Sequence, residues 1–193
     1  NSVLKNLPED KYQTQDIWID REGTWHTRGK PIEPRQLFAH VDTIFNSLHG
    51  EYGEDGQVQQ LLSRFNVPYT GSRSIQSALS INKASAKESL RDTGIKTPKY
   101  RIVEVGDDLN EQIEDIYSTF PQPSVIKPLA AGSSVGVSVA QSRDSITAGL
   151  RNAFEYGKRA IVEEHISGRE ATCVVIEDFR GERLYTPMPI EII

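Results

Sequence analysis

The stretch Val125–Ala140, VIKPLAAGSSVGVSVA, decides how the rest of the chain is interpreted. Its only charged side chain is Lys127, which stands between a short apolar run and a loop of Ala, Gly and Ser residues. An unpaired ammonium group is costly to bury, so the sequence predicts a negatively charged partner for this lysine. Small loop residues also let backbone N–H groups converge on an anion. We therefore expect two strands joined by a flap that can close over phosphate groups.

Two interpretations of this loop stay open when it is taken alone. Its spacing differs from the Gly-x-x-x-x-Gly-Lys-Ser/Thr phosphate loop, in which a helix follows the glycines. The alternative to phosphate binding is a plain hairpin whose lysine extends to water.

The composition limits the classes of function. The chain has 193 residues, of which 37% are hydrophobic and 25% charged, as in globular proteins of one or two domains. The formal net charge of -5 does not favour a nucleic-acid partner. No apolar run approaches the roughly 20 residues that span a bilayer, and the start, NSVLKNLPEDKYQ, lacks the pattern of a signal peptide. We interpret the protein as cytoplasmic, with no nucleic-acid and no membrane partner.

Cysteine usage agrees with a reducing compartment. Cys173 is the only cysteine, so no internal disulfide can form. Because it lies in the strand-like run ATCVVI, we expect a small core residue rather than a nucleophile.

The first part of the chain has an α/β pattern. From Gly56 onward, Val58, Leu61, Leu62 and Phe65 follow the spacing of one face of an amphipathic helix. Before it, the sequence predicts a helix end at SVLKNL, a strand at TQDIWID, a turn at REGTW leading into a second strand, and a strand at VDTIFNSL.

The second part has an α+β pattern. It begins with a predicted helix, SINKASAKESLRDTG, with Gly94 as its C-cap. A further helix carries Leu109, Ile113, Ile116 and Phe120, and Ser142 is predicted to cap another. The predicted strands are YRIVEV, PSVIKPL, SSVGVSVA, RAIVEEHI, EATCVVIED and ERLYTPMPIEII, with a hairpin turn at EDFRGE.

Other charged residues extend the pattern that begins at Lys127. Lys83 lies at a helix start rich in small residues, and paired acids occur in IVEEHISGRE as Glu163 and Glu164, with Glu170 further on. A carboxylate at a strand end could accept a hydrogen bond from an adenine amino group or a ribose hydroxyl. Taken singly, these residues could equally be a solvated helix lysine and a solvated strand edge.

Six stretches, taken together, carry a family resemblance. The chain resembles the D-alanine–D-alanine ligases of the ATP-grasp superfamily over nearly its whole length. The matching stretches are LHGEYGEDG, VPYTGS, SALSINKASAK, GIKTPKY, VIKPLAAGSSVGVSV and IVEEHISGRE. The resemblance implies an N-terminal α/β (pre-ATP-grasp) domain over residues 1–76 without its first strand and loop, a central α+β subdomain over 77–160, and the first strands of an incomplete C-terminal subdomain over 161–193.

The resemblance also implies a nucleotide site. ATP would lie between two β-rich layers, with Glu163 at the adenine amino group, His165 packed at the adenine, the backbone of Ile166 at the ring edge and Glu170 on the ribose. Because alternate strand residues share a face, Glu163 and Glu170 are expected to point inward and Glu164 to be solvated. The residues implied at the phosphates are Lys83 and Lys127, with a flap of Gly132, Ser133, Ser134 and Val135.

The implied reaction is the ATP-dependent ligation of two D-alanines through an acyl phosphate, for peptidoglycan precursors. Ser133, His49 and Glu54 are the residues expected at the substrates. The cofactors implied are ATP and Mg²⁺ (or Mn²⁺), with metal ligands expected beyond Ile193. The 193-residue chain alone is therefore expected to be incomplete at both ends and inactive.

Three points stay open on the sequence. The second substrate could be D-lactate or D-serine in place of D-alanine. A nucleotide-binding ATP-grasp fragment without ligase activity is the alternative from another class. Relatives in the family are often dimers, which makes a homodimer an expectation from the resemblance.

Overall fold

The computed structural model describes residues 2–193. They divide into two compact units. The N-terminal unit comprises the chain up to Ser89 together with Ala130–Ser133, and the C-terminal unit comprises Leu90–Leu129 together with Ser134–Ile193. No helix in this part of the chain is long and apolar enough to cross a membrane.

The N-terminal unit combines short helices with a small antiparallel sheet of order β1-β2-β3. Its strands are β1 Ile17–Ile19, β2 Trp25–Thr27 and β3 Lys30–Pro31. Its helices are α1 Ser2–Asn6, α2 Pro34–Phe38, α3 Gln57–Arg64, α4 Ser74–Ile81 and α5 Lys83–Leu90, whose last residue belongs to the other unit.

The helix predicted after Gly56 is confirmed as α3. Val58 and Leu62 are buried in a core with Trp25, Leu37, Phe38 and Val67. A helix whose apolar residues recur at this spacing buries one face, which is how α3 attaches to the rest of the unit.

The predicted strand VDTIFNSL is wrong. Only an isolated parallel bridge forms there, between Ile44 and Tyr69. The side chain of Asn46 explains the difference, because it turns the chain back on itself: its Nδ2 donates to the Gly53 carbonyl at 3.0 Å and its Oδ1 accepts from the Leu48 N–H at 3.2 Å. Local side-chain hydrogen bonds of this kind compete with strand pairing.

The single helix predicted over 80–94 is two helices. Asn82 has an extended backbone between α4 and α5, and its Oδ1 accepts a hydrogen bond from the Ser85 N–H at 3.1 Å. An Asn side chain that satisfies a free N–H at a helix start favours a new helix there. The predicted C-cap is confirmed, since Gly94 is left-handed with a φ of 81° after a 3₁₀ turn at Arg91–Thr93.

The C-terminal unit is built on a four-stranded antiparallel sheet of order β4-β7-β5-β6. Ser142 caps the helix that begins at Arg143 with a capping box, as predicted, and Asp108 caps the helix that begins at Leu109 through the N–H groups of Asn110 and Glu111. The sheet strands are β4 Tyr100–Glu104, β5 Ser124–Pro128, β6 Ser138–Ala140 and β7 Arg159–Glu164, and the helices are α6 Leu109–Thr119 and α7 Arg143–Phe154.

The two helices cover one face of this sheet. Val103, Ile126 and Val162 come from three different strands and pack with Ile116 of α6 and Leu150 of α7 in one buried cluster. Since successive strand residues point to opposite faces, the residues between them in sequence lie on the face that α6 and α7 leave uncovered.

The remaining strands form two ribbons. β9 Ile176–Phe179 pairs with β10 Glu182–Tyr185, which confirms the predicted hairpin turn, and β8 Glu170–Thr172 pairs with β11 Ile190–Ile192. The strand predicted over 170–178 is therefore interrupted. Cys173 lies at the interruption and is exposed, so its predicted place in the core is wrong. Every residue from Glu170 to Phe179 is exposed, so this segment has no buried face that the Cys173 side chain could join.

The predicted domain boundaries fall inside secondary structure. Helix α4 spans the boundary at 76/77, and β7 spans the one at 160/161. Ile161 pairs with Lys127 of β5 and with Ile102 of β4, so its strand belongs to the four-stranded sheet and not to a separate set of strands. The division into three domains as such stays a prediction.

Candidate functional site

The structure supplies the negative partner that the sequence predicts for Lys127. Its Nζ lies 2.5 Å from Oε2 of Glu163, a side chain that is only 5% exposed. The two residues sit on neighbouring strands of the C-terminal unit, where Val125 pairs with Glu163 and Lys127 pairs with Ile161. They are therefore diagonal neighbours on the face of the sheet that the helices leave uncovered.

Apolar side chains surround this ion pair on the same face. Ile161 is fully buried, whereas Ile102 and Val139 are 38% and 60% exposed. This face, which α6 and α7 do not cover, therefore combines a largely buried ion pair and a buried isoleucine with two exposed apolar side chains.

The acids after Lys127 are not equivalent. Glu163 is buried, and Glu164 is half-buried with its Oε1 accepting from the Lys99 N–H at 3.1 Å. The inward position expected for Glu163 agrees with its burial, whereas Glu164, expected to be solvated, is half-buried because it holds the Lys99 N–H. Glu170 differs from the expectation, because it lies on the exposed ribbon strand β8.

Two other predicted adenine residues are also exposed. His165 donates its N–H to the Pro123 carbonyl at 3.2 Å, and Ile166 is 63% exposed. Beyond His165 the chain leaves the sheet, so the structure does not bring His165, Ile166 and Glu170 into an enclosed pocket with Glu163.

The small-residue loop is a series of turns. Ser133 and Ser134 have φ angles of 54° and 57°, in the left-handed region that non-glycine residues rarely adopt. Gly136 has a φ of 68°, and Val135 is exposed. For this reason β6 begins only at Ser138, and the first half of the predicted strand SSVGVSVA is wrong.

A pocket of about 300 Å³ lies within the N-terminal unit. Lys83 donates from Nζ to the Ala131 carbonyl at 2.7 Å. Glu54 accepts from the Gly50 N–H at 2.6 Å, and a Cβ added at Gly132 would lie 3.3 Å from the same Glu54 oxygen. The pocket is lined by Glu54, Ser80, Ile81, Lys83, Ala131 and Gly132.

This pocket brings together predicted residues that are distant in sequence. Glu54, Lys83 and Gly132 line it, while His49 lies beside it and is 85% exposed, with Nδ1 3.8 Å from Glu54 Oε1. A carboxylate and an ammonium group in one small pocket are complementary to a zwitterion, whose positive group can face the carboxylate and whose negative group can face the ammonium group.

Side chains hold the loop that carries Glu54. Partial burial by itself raises the pKa of Asp55. The carboxylate, however, accepts hydrogen bonds from the backbone N–H groups of Gln57 and Tyr52 and from the side-chain amide of Gln57. Together these hydrogen bonds outweigh the effect of burial and keep the pKa of Asp55 below its ordinary value. Asp55 is thus an ionised anchor of the loop, next in sequence to the pocket carboxylate.

Sequence reasoning missed two residues near the pocket and the flap. Gln59 is buried on the apolar face of α3, and Tyr156 packs against Gly136. A signal was present for Gln59, because a polar residue next to Val58 and three positions before Leu62 lies within the stripe expected to be buried. Nothing local indicated Tyr156.

Side chains that could bind a metal do not form a cluster in the part of the chain that the structure describes. Residues 2–193 contain no group of three or more His, Cys, Asp or Glu side chains that could hold a metal ion. No residue described here is therefore assigned to a metal.

Two family descriptions match most of the chain. The family description "D-ala D-ala ligase N-terminus" matches residues 27–72, and "D-ala D-ala ligase C-terminus" matches residues 89–192, more than half of the chain. The chain belongs to the D-alanine–D-alanine ligase family. The resemblance and the fold prediction, an N-terminal α/β domain followed by part of an ATP-grasp fold, are confirmed.

Particular relatives agree with this assignment. The D-alanine–D-alanine ligase of Geobacter sulfurreducens is 41% identical over 178 residues, which is 92% of this chain and 52% of that protein. The corresponding ligase of Solibacter usitatus is 34% identical over 193 residues, all of this chain and 57% of the relative. The chain spans about half the length of the curated relatives it matches.

Solved structures show the same fold. The D-alanine–D-alanine ligase of Coxiella burnetii matches with a TM-score of 0.82 and 26% identity, over 99% of this chain and 64% of that one. The VanG D-Ala:D-Ser ligase of Enterococcus faecalis matches with a TM-score of 0.81 and 27% identity, over 98% of this chain and 62% of that one.

Proposed function

We propose that this protein is an ATP-dependent ligase that joins two D-alanine molecules into the dipeptide used for peptidoglycan precursors. The observation that carries the proposal is the small pocket that Glu54 and Lys83 line together. Its paired charges and its volume of about 300 Å³ suit a small amino acid, whose ammonium group would face Glu54 and whose carboxylate would face Lys83. Family membership supports the same substrate class.

The reaction begins with phosphoryl transfer. A carboxylate oxygen of the first D-alanine attacks the γ-phosphorus of ATP, the bond from that phosphorus to the β-phosphate oxygen breaks, and ADP leaves. Lys83 would stabilise this step, because its ammonium group can attract both the carboxylate and the phosphoryl group that the carboxylate accepts.

Ligation follows on the acyl phosphate. The neutral amine of the second D-alanine attacks the carbonyl carbon, the bond from that carbon to the phosphate oxygen breaks, and inorganic phosphate leaves while the amine loses a proton. We assign Ser133 to hold the reacting groups, with His49 beside Glu54. The protein contributes positioning and charge stabilisation rather than a covalent bond.

The ion pair of the C-terminal unit supports adenine as the base. Lys127 and Glu163 present a donor and an acceptor 2.5 Å apart. Adenine carries an amino donor at N6 beside an acceptor at N7, whereas guanine carries acceptors at both O6 and N7. Glu163 would therefore accept a hydrogen bond from the adenine amino group, while Lys127 would donate to N7 and to a phosphate oxygen. Guanine would be disfavoured, because its O6 would lie against the Glu163 carboxylate.

The other nucleotide contacts are proposals about closure. Gly132, Ser133, Ser134 and Val135 would cover the phosphates. His165, Ile166 and Glu170 would reach the adenine and the ribose only if the exposed segment that carries them closes onto the nucleotide. Mg²⁺ would neutralise phosphate charge when bound, and we assign none of the described residues to it.

The same proposal includes location and assembly. We infer a cytoplasmic enzyme that acts on small molecules, with no nucleic-acid partner. A homodimer is our expectation, which light scattering on the purified protein tests.

The test is phosphate release by the protein expressed from its whole reading frame. We expect release to require both ATP and D-alanine, with the dipeptide identified by mass. Because one of the matching structures is a D-Ala:D-Ser ligase, D-serine and D-lactate are offered as competing second substrates. Nucleotide binding without any release of phosphate would favour the non-catalytic alternative.

A further inference from the structure

Gln59 makes a hydrogen bond that reaches the loop beside the Glu54–Lys83 pocket. It is 4% exposed on α3, and its Nε2 donates to the Gly53 carbonyl at 2.7 Å. The same carbonyl also accepts from Nδ2 of Asn46 at 3.0 Å. Two side-chain amides therefore hold the one peptide group that immediately precedes Glu54.

The loop at this point has little freedom. A Cβ added at Gly53 would lie 2.3 Å from Cβ of Leu48, so the chain passes too close for any side chain. Glu54 is tied to Gly50 twice: its N–H donates to the Gly50 carbonyl at 2.9 Å, and its carboxylate accepts from the Gly50 N–H at 2.6 Å. The direction of the peptide between Gly53 and Glu54 thus decides where the carboxylate lies.

Packing alone does not explain a glutamine at this position. The Oε1 atom of Gln59 is buried and has no hydrogen-bond partner among the residues that the structure describes. A buried amide oxygen without a partner destabilises the fold, and an apolar residue of similar size would avoid that cost. The hydrogen bond that Nε2 makes to Gly53 is the feature that only the amide supplies.

We propose that Gln59 is a positioning residue for substrate binding. Through the Gly53 carbonyl it sets the orientation of the Glu54 carboxylate in the pocket and thereby the affinity for the amino group of the first amino acid. The inference rests on the proposed function, since it assigns the pocket to that substrate.

The test replaces Gln59 in the protein expressed from its whole reading frame. Gln59→Met keeps the length of the side chain, removes the N–H donor and removes the unpaired oxygen, so we expect the melting temperature to change little. We expect the KM for D-alanine to rise about two- to tenfold, the range for one lost hydrogen bond, with the Kd for ATP unchanged. Gln60→Met, at an exposed neighbour on the same helix, is the matched control.

A second measurement does not depend on activity. Hydrogen exchange of a peptide covering residues 47–56 reports on the N–H groups of Gly50 and Glu54, and we expect faster exchange in Gln59→Met than in Gln60→Met. Unchanged exchange would overturn the inference. So would an equal loss of affinity for D-alanine and ATP with a lower melting temperature, the pattern of a purely structural residue. A wild-type protein without D-alanine-dependent turnover would instead refute the proposed function, and exchange would still decide the role of Gln59.

Discussion

At the scale of single residues, the ion pair of Lys127 and Glu163 joins the fold to the proposed site. The carboxylate is buried and the ammonium group is 28% exposed. A buried charge is tolerated only with its partner in place, so each of the two residues depends on the other. We therefore expect Lys127 to contribute to stability, in addition to the part in nucleotide binding that we propose for it.

This dependence predicts a specific pattern of stability. Lys127→Met should lower the free energy of unfolding by about 3 kcal/mol, because Glu163 loses the ammonium group beside its buried carboxylate. Adding Glu163→Gln should restore most of that loss, although ATP binding stays weak in both variants. Urea unfolding and nucleotide titration measure the two quantities. A double variant no more stable than Lys127→Met would contradict the interdependence.

A hydrogen bond between His26 and Asp20, in the N-terminal unit, predicts a dependence on pH. His26 hydrogen-bonds from Nε2 to Asp20 at 2.8 Å and stacks on Trp18 with ring centroids 4.2 Å apart. The hydrogen bond from His26, with a further one from the Thr24 N–H, lowers the pKa of Asp20. A carboxyl group whose pKa is lower in the folded state stabilises the fold when the pH is above its ordinary pKa of about 3.9. It loses that contribution as the pH falls through its pKa in the folded state.

We therefore expect Asp20→Asn to lower the melting temperature at a pH of about 6 to 7, because the wild-type carboxylate is ionised there. The difference from wild type should shrink as the pH falls below about 3.9. Asp16→Asn, at an exposed position of the same segment, is the control. A difference that stays constant from neutral to acidic pH would show that the ionised form of Asp20 contributes nothing.

At the scale of elements, the base of the flap depends on a close contact. Gly136 has a φ of 68°, and a Cβ there would lie 2.7 Å from both Pro128 Cγ and Tyr156 Cδ2. Two rings thus enclose the glycine at the point where the flap leads into β6. The flap turns at Ser133 and Ser134 and is closely packed where it meets the sheet.

Gly136→Ala should therefore be more destabilising than a substitution that introduces backbone strain alone. Gly94→Ala provides that comparison, since Gly94 has a φ of 81° but open space around it. Left-handed strain in a residue with a Cβ costs about 1–2 kcal/mol, and we expect Gly136→Ala to exceed this and to weaken ATP binding. Adding Tyr156→Ala should recover part of the loss. Equal unfolding free energies for the two alanine variants would show that the ring contacts do not matter.

At the scale of the whole molecule, the two features to which we assign ligands lie in different units. The pocket with Glu54 and Lys83 belongs to the N-terminal unit, and the ion pair of Lys127 and Glu163, for which we propose adenine as the ligand, belongs to the C-terminal unit. Neither unit offers a group of three side chains for a metal within residues 2–193.

This distribution predicts the response to chelation. In the protein expressed from its whole reading frame, EDTA should abolish phosphate release, because phosphoryl transfer needs a metal to neutralise phosphate charge. It should leave hydrogen exchange of the four-stranded sheet unchanged, since no group of three metal-binding side chains occurs in the described part of the chain. Faster exchange of β5 and β7 after chelation would contradict the second expectation.

Local patterns by themselves determined a large part of the fold. The spacing of Val58 and Leu62 predicted α3, Ser142 predicted the start of α7, and EDFRGE predicted the hairpin of β9 and β10. These features depend on residues a few positions apart, whose hydrogen bonds and packing are set within one helix turn or one tight turn. The six stretches that carry the resemblance likewise indicated the family from sequence alone.

Only the tertiary structure decided what depends on residues distant in sequence. It made Glu163 the partner of Lys127 by placing β5 beside β7, and it brought Lys83 to the Ala131 carbonyl. It also exposed Cys173 and drew Asn46 and Gln59 onto the Gly53 carbonyl. The physical reason is that burial and the pairing of charges depend on which surfaces meet, and no local pattern contains that information.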